Sequence, residues 1–312
     1  MKILVTGGAG FIGSHLADSL LSRGDEVLVV DNYATGRHDN LKPQDRLEVV
    51  EGTIADEALV EDLVSRFTPD VVVHAAASYK DPDDWHEDTR TNVLGSANVA
   101  KSAAANGCKR LIYFQTALCY GVLPIEQPIT LDHPLRPLDS SYAITKTAGE
   151  HFLALSGVDF VSFRLANAYG PRNLSGPLPT FYHRLTEDKP IFVMDTRRDF
   201  VYIDDLVACV LKAIDGTGSG YYHISSGSDF SIKELYAATR AALGLEPDEE
   251  VEVRPRGADD AYTILLDPSR TITDFDWGVE ISLVQGVQAA VDYYREYGIS
   301  ETFTHLRMPA KE

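Results

Sequence analysis

The stretch Gly7-Gly8-Ala9-Gly10-Phe11-Ile12-Gly13 constrains this chain more than any other. An apolar run, Lys2–Thr6, precedes it and reads as a strand. A segment with Ile12, Leu16 and Leu20 on one helical face follows, over Phe11–Arg23, and Gly24 closes it. Strand, glycine turn and helix in that order make a cradle for a phosphate-bearing ligand. Gly7 permits the tight turn, Gly10 lets the backbone approach a pyrophosphate, and Gly13 lets helix and strand pack closely. The first helical turn, with Phe11 and Ile12, then presents free N–H groups to the phosphates.

A glycine triplet alone is a weak signal. A strand before it, a helix after it and an acid downstream make it specific. The acid is Asp31, which ends the second strand, Glu26–Val30, and lies 18 residues after Gly13. A carboxylate there accepts hydrogen bonds from ribose hydroxyls and repels a 2′-phosphate, which favours NAD over NADP. Arg37 is close in sequence and reads as a solvated loop arginine.

Strand-like and helix-like segments go on alternating. Strands are predicted over Leu47–Glu51, Val71–His74, Arg110–Phe114 and Phe160–Arg164. Helices are predicted over Asp56–Phe67, Asn92–Asn106 and Tyr142–Ser156. Near-continuous apolar strands alternating with helices imply a parallel sheet covered on both faces. The expected architecture is therefore α/β, a Rossmann-type doubly wound parallel sheet in residues 1–170. Residues 171–312 are expected to form mainly a smaller C-terminal substrate-binding lobe, with some segments returning to the sheet. Pro171, Pro177 and Pro179 read as a loop, the last helix is placed near Leu283–Tyr297, and the tail after Thr304 is expected to be loosely tied.

The formal charge of -19 disfavours nucleic acid and anionic membranes as partners. No apolar run approaches the ~18 residues of a membrane span, so a cytoplasmic protein is expected. Cys108, Cys119 and Cys209 form no CxxC pair, which fits a reducing compartment and no metal site.

Tyr142 and Lys146 are four apart on a predicted helix and so face the same way. An ammonium and a positively charged nicotinamide would lower the ordinary tyrosine pKa of about 10 and favour a phenolate general base. At this point the sequence resembles the extended short-chain dehydrogenase/reductase family, specifically its NAD-dependent epimerases and dehydratases of nucleotide sugars. The resemblance runs through the glycine loop, Asp31, His74-Ala75-Ala76-Ala77, Asn92, Thr116…Tyr120-Gly121, Tyr142…Lys146, Asn167 within Arg164…Arg172, and Arg198-Asp-Phe-Val-Tyr202. Tyr79-Lys80-Asp81-Pro82 and Gln115…Tyr120 are similar to epimerase-like members of bacterial polysaccharide biosynthesis.

The resemblance implies a cofactor surface of Gly7, Gly10, Phe11, Ile12, Gly13, Asp31, Asn32, Gly36, Thr53, Ile54, Ala75, Ala76, Ala77, Asn92, Tyr142 and Lys146. It implies a nucleotide-diphosphate sugar held by Lys80, Thr116, Asn167, Arg198, Arg256 and Ile264. Thr116 would bridge sugar and tyrosine, and Arg198 would meet the diphosphate; alternatively Arg198 pairs with Asp199 or Asp195 at the surface. A homodimer through the helices near Asn92–Asn106 and Tyr142–Ser156 is also implied. Three departures stand out. Gln115 replaces the usual Ser, Thr53 replaces an Asp beside the adenine, and the family's distal arginine is displaced to Arg256 in Arg254-Pro-Arg-Gly-Ala-Asp-Asp260.

Members of this family oxidise a sugar carbon, usually C4, to a ketone. Dehydratases then carry Asp-Glu after the Thr, and decarboxylases a Glu two places on. Ala117-Leu118 can do neither job, which leaves return of the hydride to the other face, an epimerisation at C4. Cys119 stands one place nearer Tyr120 than the acid/base cysteine of 3,5-epimerases and reads as a packing residue, as His74 reads as a structural strand-end histidine. The alternatives are a ketosugar reductase, and an NAD-binding protein that has lost catalysis.

Overall fold

The computed structural model describes residues 1–257, 260–299 and 301–303; the expected loose tail after Thr304 lies outside them. The chain opens with β1 (Lys2–Thr6), α1 (Phe11–Ser22), β2 (Glu26–Asp31), β3 (Leu47–Glu51), α2 (Glu57–Phe67) and β4 (Val71–His74). It continues with α3 (Trp85–Asp88), a π-helical segment (Thr89–Gly95), α4 (Ser96–Ala105), β5 (Arg110–Thr116), α5 (Ser141–Leu155) and β6 (Asp159–Leu165). Beyond it come β7 (Asn167–Tyr169), α6 (Pro177–Thr186), β8 (Phe192–Met194), β9 (Arg197–Arg198), β10 (Phe200–Tyr202), α7 (Ile203–Ile214) and β11 (Gly220–Ile224). The chain closes with β12 (Phe230–Ser231), α8 (Ile232–Leu243), β13 (Glu252–Arg254), α9 (Ser269–Phe275) and α10 (Leu283–Tyr297).

Seven strands form one parallel sheet in the order β11-β6-β5-β4-β1-β2-β3. Alternate side chains feed two cores, because successive residues of a strand point to opposite faces. Ile3, Val5, Val27, Val29 and Phe163 pack with Leu16 and Leu20 of α1 and Leu206 and Val210 of α7. Leu4, Leu28, Val72, Leu111 and Tyr113 pack with Val64 of α2, Val99 of α4 and Leu153 of α5. This is the doubly wound Rossmann-type α/β fold. Strand order reverses between β1 and β4, and a crevice opens there at the carboxyl ends of the strands, where such sheets bind ligands.

From Asn167 onward the chain builds three two-stranded pairs, β7 with β10, β9 with β12 and β8 with β13, packed among α6, α8 and α10. One segment of that half, β11, returns to the edge of the large sheet, where Gly220 pairs with Val161 and Ile224 with Leu165.

Two elements differ from the expectation. Pro177 and Pro179 are not in a loop but in the first turn of α6; a proline is tolerated there because those N–H groups have no intrahelical partner. The helix predicted from Asn92 begins earlier, at Trp85, capped by the Asp84 carboxylate on the Glu87 N–H at 3.0 Å. It then passes through π geometry before becoming α4. No helix among the described residues is long and apolar enough to cross a membrane.

Candidate active site

The glycine loop is fixed by close approach. Gly7 has φ +66°, and a Cβ added to it would lie 2.7 Å from the Ala76 backbone. At Gly13 a Cβ would lie 2.2 Å from the Gly7 oxygen and 2.7 Å from the Gly8 Cα. Gly10 is the N-cap of α1 and makes no side-chain capping bond. The first-turn N–H groups are thus left for a ligand, and Phe11, Ile12 and Gly13 line the crevice. Asp31 ends β2 with one carboxylate oxygen accepting from the Ala9 N–H and the other from the Tyr33 N–H, each at 2.8 Å. Burial pushes its pKa up, and those donors oppose the shift. A cradle that tolerates no Cβ, an uncapped helix end and a carboxylate at the next strand tip fit the diphosphate and ribose of a dinucleotide.

From this cradle a cavity of about 950 Å³ runs past the ends of β4 and β5 toward Arg198. Its floor carries Thr116, Tyr142 and Lys146. Thr116 ends β5; its N–H donates to Gln115 Oε1 at 2.8 Å and its Oγ1 accepts from the Leu118 N–H at 3.2 Å. The buried Gln115 therefore orients the threonine backbone. Ser140 caps α5 through the Ala143 N–H at 3.1 Å, which sets Tyr142 in the first turn and Lys146 one turn on. The Lys146 ammonium lies 3.9 Å from the centroid of the Tyr113 ring. Burial pushes its pKa down to about 7, with Glu150 opposing the shift.

Burial pushes the Tyr142 hydroxyl well above its ordinary value, and Tyr79 and Asp88 add to the shift. Two nearby groups stay out of the chemistry. His74 is wholly buried between Thr6 Oγ1 at 2.7 Å and Ser96 Oγ at 2.9 Å, and burial pushes its pKa down to about 3. Cys119 is fully buried, and burial pushes its thiol far up, so it is unreactive.

At the far end the cavity is lined by Lys80, Asn167, Arg198, Asp260 and Ile264. Arg198 pairs with neither Asp195 nor Asp199. Its Nη2 donates to Asp260 Oδ1 at 2.6 Å, and its Nη1 to the carbonyls of Arg197 at 2.7 Å and Ala261 at 3.0 Å. Asp199 instead accepts from Ser225 and Ser226, and burial pushes its pKa up to about 6. Asn167 donates to the Asp199 carbonyl at 3.1 Å. The Lys80 ammonium lies 4.8 Å from the centroid of the Phe303 ring.

Asn32, Ala75, Ala76 and Ala77 also line the cavity, whereas Gly36, Thr53, Ile54, Asn92 and Arg256 do not. Gly36 packs against Asp31, where a Cβ would lie 2.9 Å from Oδ1. Thr53 accepts from the Ala55 N–H at 3.2 Å, and Ile54 packs under Gly95. Asn92 is buried and reaches the site only through others. Arg256 is exposed and donates to the Asp260 carbonyl at 2.7 Å. Sequence reasoning missed Tyr79, whose ring stands 6.4 Å from that of Tyr142, and Asp260, the partner of Arg198. Both stand in stretches that the motifs mark, but no local pattern gives their roles; Asp260 lies 62 residues from its arginine.

A tyrosine and a lysine one turn apart beneath the switch-point crevice of a Rossmann-type sheet define a dinucleotide-dependent enzyme of the extended short-chain dehydrogenase/reductase class. Within that class the chain belongs to the NAD dependent epimerase/dehydratase family, whose sequence model matches residues 3–224. It is 32% identical over 314 residues to the UDP-glucose 4-epimerase of Mycolicibacterium smegmatis, covering 95% of this chain and 99% of that protein. Among solved structures it resembles the Bordetella bronchiseptica enzyme WbmH in complex with NAD+, with TM-score 0.93, 56% identity and coverage of 96% of this chain and 99% of that one. It also resembles WbmG of the same organism in complex with NAD and UDP, with TM-score 0.91, 46% identity and 99% of both chains covered. Relatives named as decarboxylases and dehydratases match as well. The chain is an NAD-dependent nucleotide-sugar enzyme.

The buried Asp31 carboxylate gives a measurable preference. NAD is expected to bind at least about tenfold more tightly than NADP, since a like-charge contact costs more than 1.4 kcal/mol. Isothermal titration with each cofactor checks this, and equal dissociation constants would contradict it.

Proposed function

We propose that this chain epimerises a uridine-diphosphate sugar at C4 through a transient 4-keto intermediate. The observation that carries the reading is the floor of the cavity. Thr116, Tyr142 and Lys146 meet there, between the glycine cradle and Arg198, and Ala117 and Leu118 follow the threonine. Relatives named as UDP-glucose 4-epimerases support the sugar class and the position on it.

NAD, when bound, supplies the hydride acceptor and a positive charge above the floor. Tyr142 takes the proton of the C4 hydroxyl, with Thr116 placed to bridge it. Lys146, desolvated under Tyr113, would hold the cofactor ribose and favour the phenolate. Arg198 and Asn167 hold the diphosphate; a guanidinium fork suits its oxygens. Tyr142 would give the proton back to the C4 oxygen once that carbon is reduced from its opposite face. The reading includes a homodimer, for which the exposed Leu94, Ile144, Phe152 and Leu155 of the helices around α4 and α5 offer an apolar face.

Heavy water tests the reaction. Only the hydroxyl proton passes through Tyr142, so the epimerised sugar should carry no carbon-bound deuterium, and NADH absorbance should show no net change. Deuterium at C3 or C5 would indicate a dehydratase or a 3,5-epimerase. Stoichiometric loss of NADH would indicate the ketosugar reductase.

A further inference from the structure

The segment that departs most from the predicted helix holds a buried carboxylate that the mechanism above does not use. Asp88 ends α3, immediately before the π-helical turn, and is 1% exposed. The hydroxyls of Ser78 and Ser141 face it and oppose the upward pKa shift that burial imposes. Its Oδ1 nevertheless meets no hydrogen-bond partner among the described residues. An under-satisfied buried carboxylate is destabilising, and its presence calls for a role.

Asn92 stands four residues on. Its Oδ1 accepts from the Ser78 N–H at 2.8 Å, and its Nδ2 donates to the Ser78 carbonyl and to Thr145 Oγ1, each at 3.1 Å. Two residues of one helix, 88 and 92, thus meet two hydroxyls of α5, Ser141 and Thr145, with Ser78 shared between them. Tyr142 lies between those hydroxyls. The helices can close this tightly because Gly149 has no side chain; a Cβ there would lie 2.7 Å from the Asn92 carbonyl. A π turn at such a point is a common mark of function.

We propose that Asp88 is a positioning residue for Tyr142: with Asn92 it clamps the first turns of α5 and keeps a negative charge behind the phenol. The groups around Tyr142 include Tyr79 from the loop after β4, Tyr113 from β5, Lys146 on α5 and Asp88 from α3, with Asp84 and Glu87 beside the last. Asp88 is the carboxylate among them that, after burial and Tyr79, adds to the upward shift of the phenol. Its charge holds the phenol protonated until positive charge arrives above the cavity floor, so proton removal is tied to the oxidised cofactor. The same charge keeps the proton taken from the C4 hydroxyl on the phenol until it is handed back to the C4 oxygen.

The inference rests on Tyr142 being the proton-transfer group, and the test separates the two. In Asp88→Asn the shape is kept and the charge removed. The acid limb of the kcat/KM profile should move down by roughly half a pH unit or more. A tyrosinate ultraviolet difference titration, NAD-loaded protein against its Tyr142→Phe counterpart, should move the same way in the Asp88→Asn background. A residue with only a structural role would move neither. If Asp88→Asn does not fold, Asp88→Ser is measured in the same two ways. Coincident profiles for wild type and variant, with Tyr142→Phe inactive, overturn the role of Asp88 alone. Full activity in Tyr142→Phe overturns the reading beneath it.

Discussion

Replacing Tyr142 by Phe is expected to lower kcat by about 10²–10⁴-fold, the usual worth of a positioned general acid–base. The phenol is the one group on the cavity floor assigned both to take and to return the C4 hydroxyl proton. Its ring can stay as Phe in the first turn of α5, edge-on to Tyr79. NAD affinity should therefore change by no more than roughly threefold, which separates a lost chemical step from a lost site. Steady-state kinetics on UDP-glucose and UDP-N-acetylglucosamine, with calorimetric NAD binding, would measure both. A variant that stays active would remove the mechanism; one that loses NAD as well would show that the hydroxyl is structural.

Gly13→Ala should be nearly as damaging by a different route. The added methyl meets only backbone, the Gly7 carbonyl at 2.2 Å and the Gly8 Cα at 2.7 Å, so no side chain can swing away. The turn between β1 and α1 must move, and with it the N–H groups of Phe11 and Ile12. Overpacking of this kind costs about 1–3 kcal/mol. Expressed in the cofactor dissociation constant, that is about five- to 150-fold weaker binding. The melting temperature should fall as well, because the same contact packs helix against sheet. Gly157→Ala makes a useful contrast, since nothing lies within 4 Å of the added methyl. The strain of its left-handed φ of +74° should appear in stability alone.

The parts of the site readable from sequence are those made by neighbours along the chain. The glycine cradle, Asp31 and the Tyr142–Lys146 pair each occupy one turn or one strand end. The last helix, placed near Leu283–Tyr297, has those bounds in the structure, where Ser282 and Gln285 form a capping box at its start and Gly298 follows its end. Residues 85–95 were not legible. Trp85–Asp88 is four residues of mixed polarity, and a π turn has no 3.6-residue stripe to detect. Nor could Arg198 be matched with Asp260 rather than Asp195 or Asp199, because only the folded lobe brings those segments together. Arg256 was drawn toward the phosphate by its place in a motif, while the structure turns it outward onto the Asp260 carbonyl.

The ion pair between Arg198 and Asp260 has a consequence for how ligands come and go. Any anion that takes the Arg198 Nη2 must first displace a carboxylate already seated at 2.6 Å. Association is then an exchange of one anion for another, so the free energy of the new contact is reduced by that of the old one. The resident carboxylate returns when the ligand leaves, and the guanidinium is never stranded without a counter-charge in a poorly hydrated wall. A site arranged this way gives up equilibrium affinity and gains a low barrier to departure, which suits a catalyst whose substrate and product carry the same diphosphate handle.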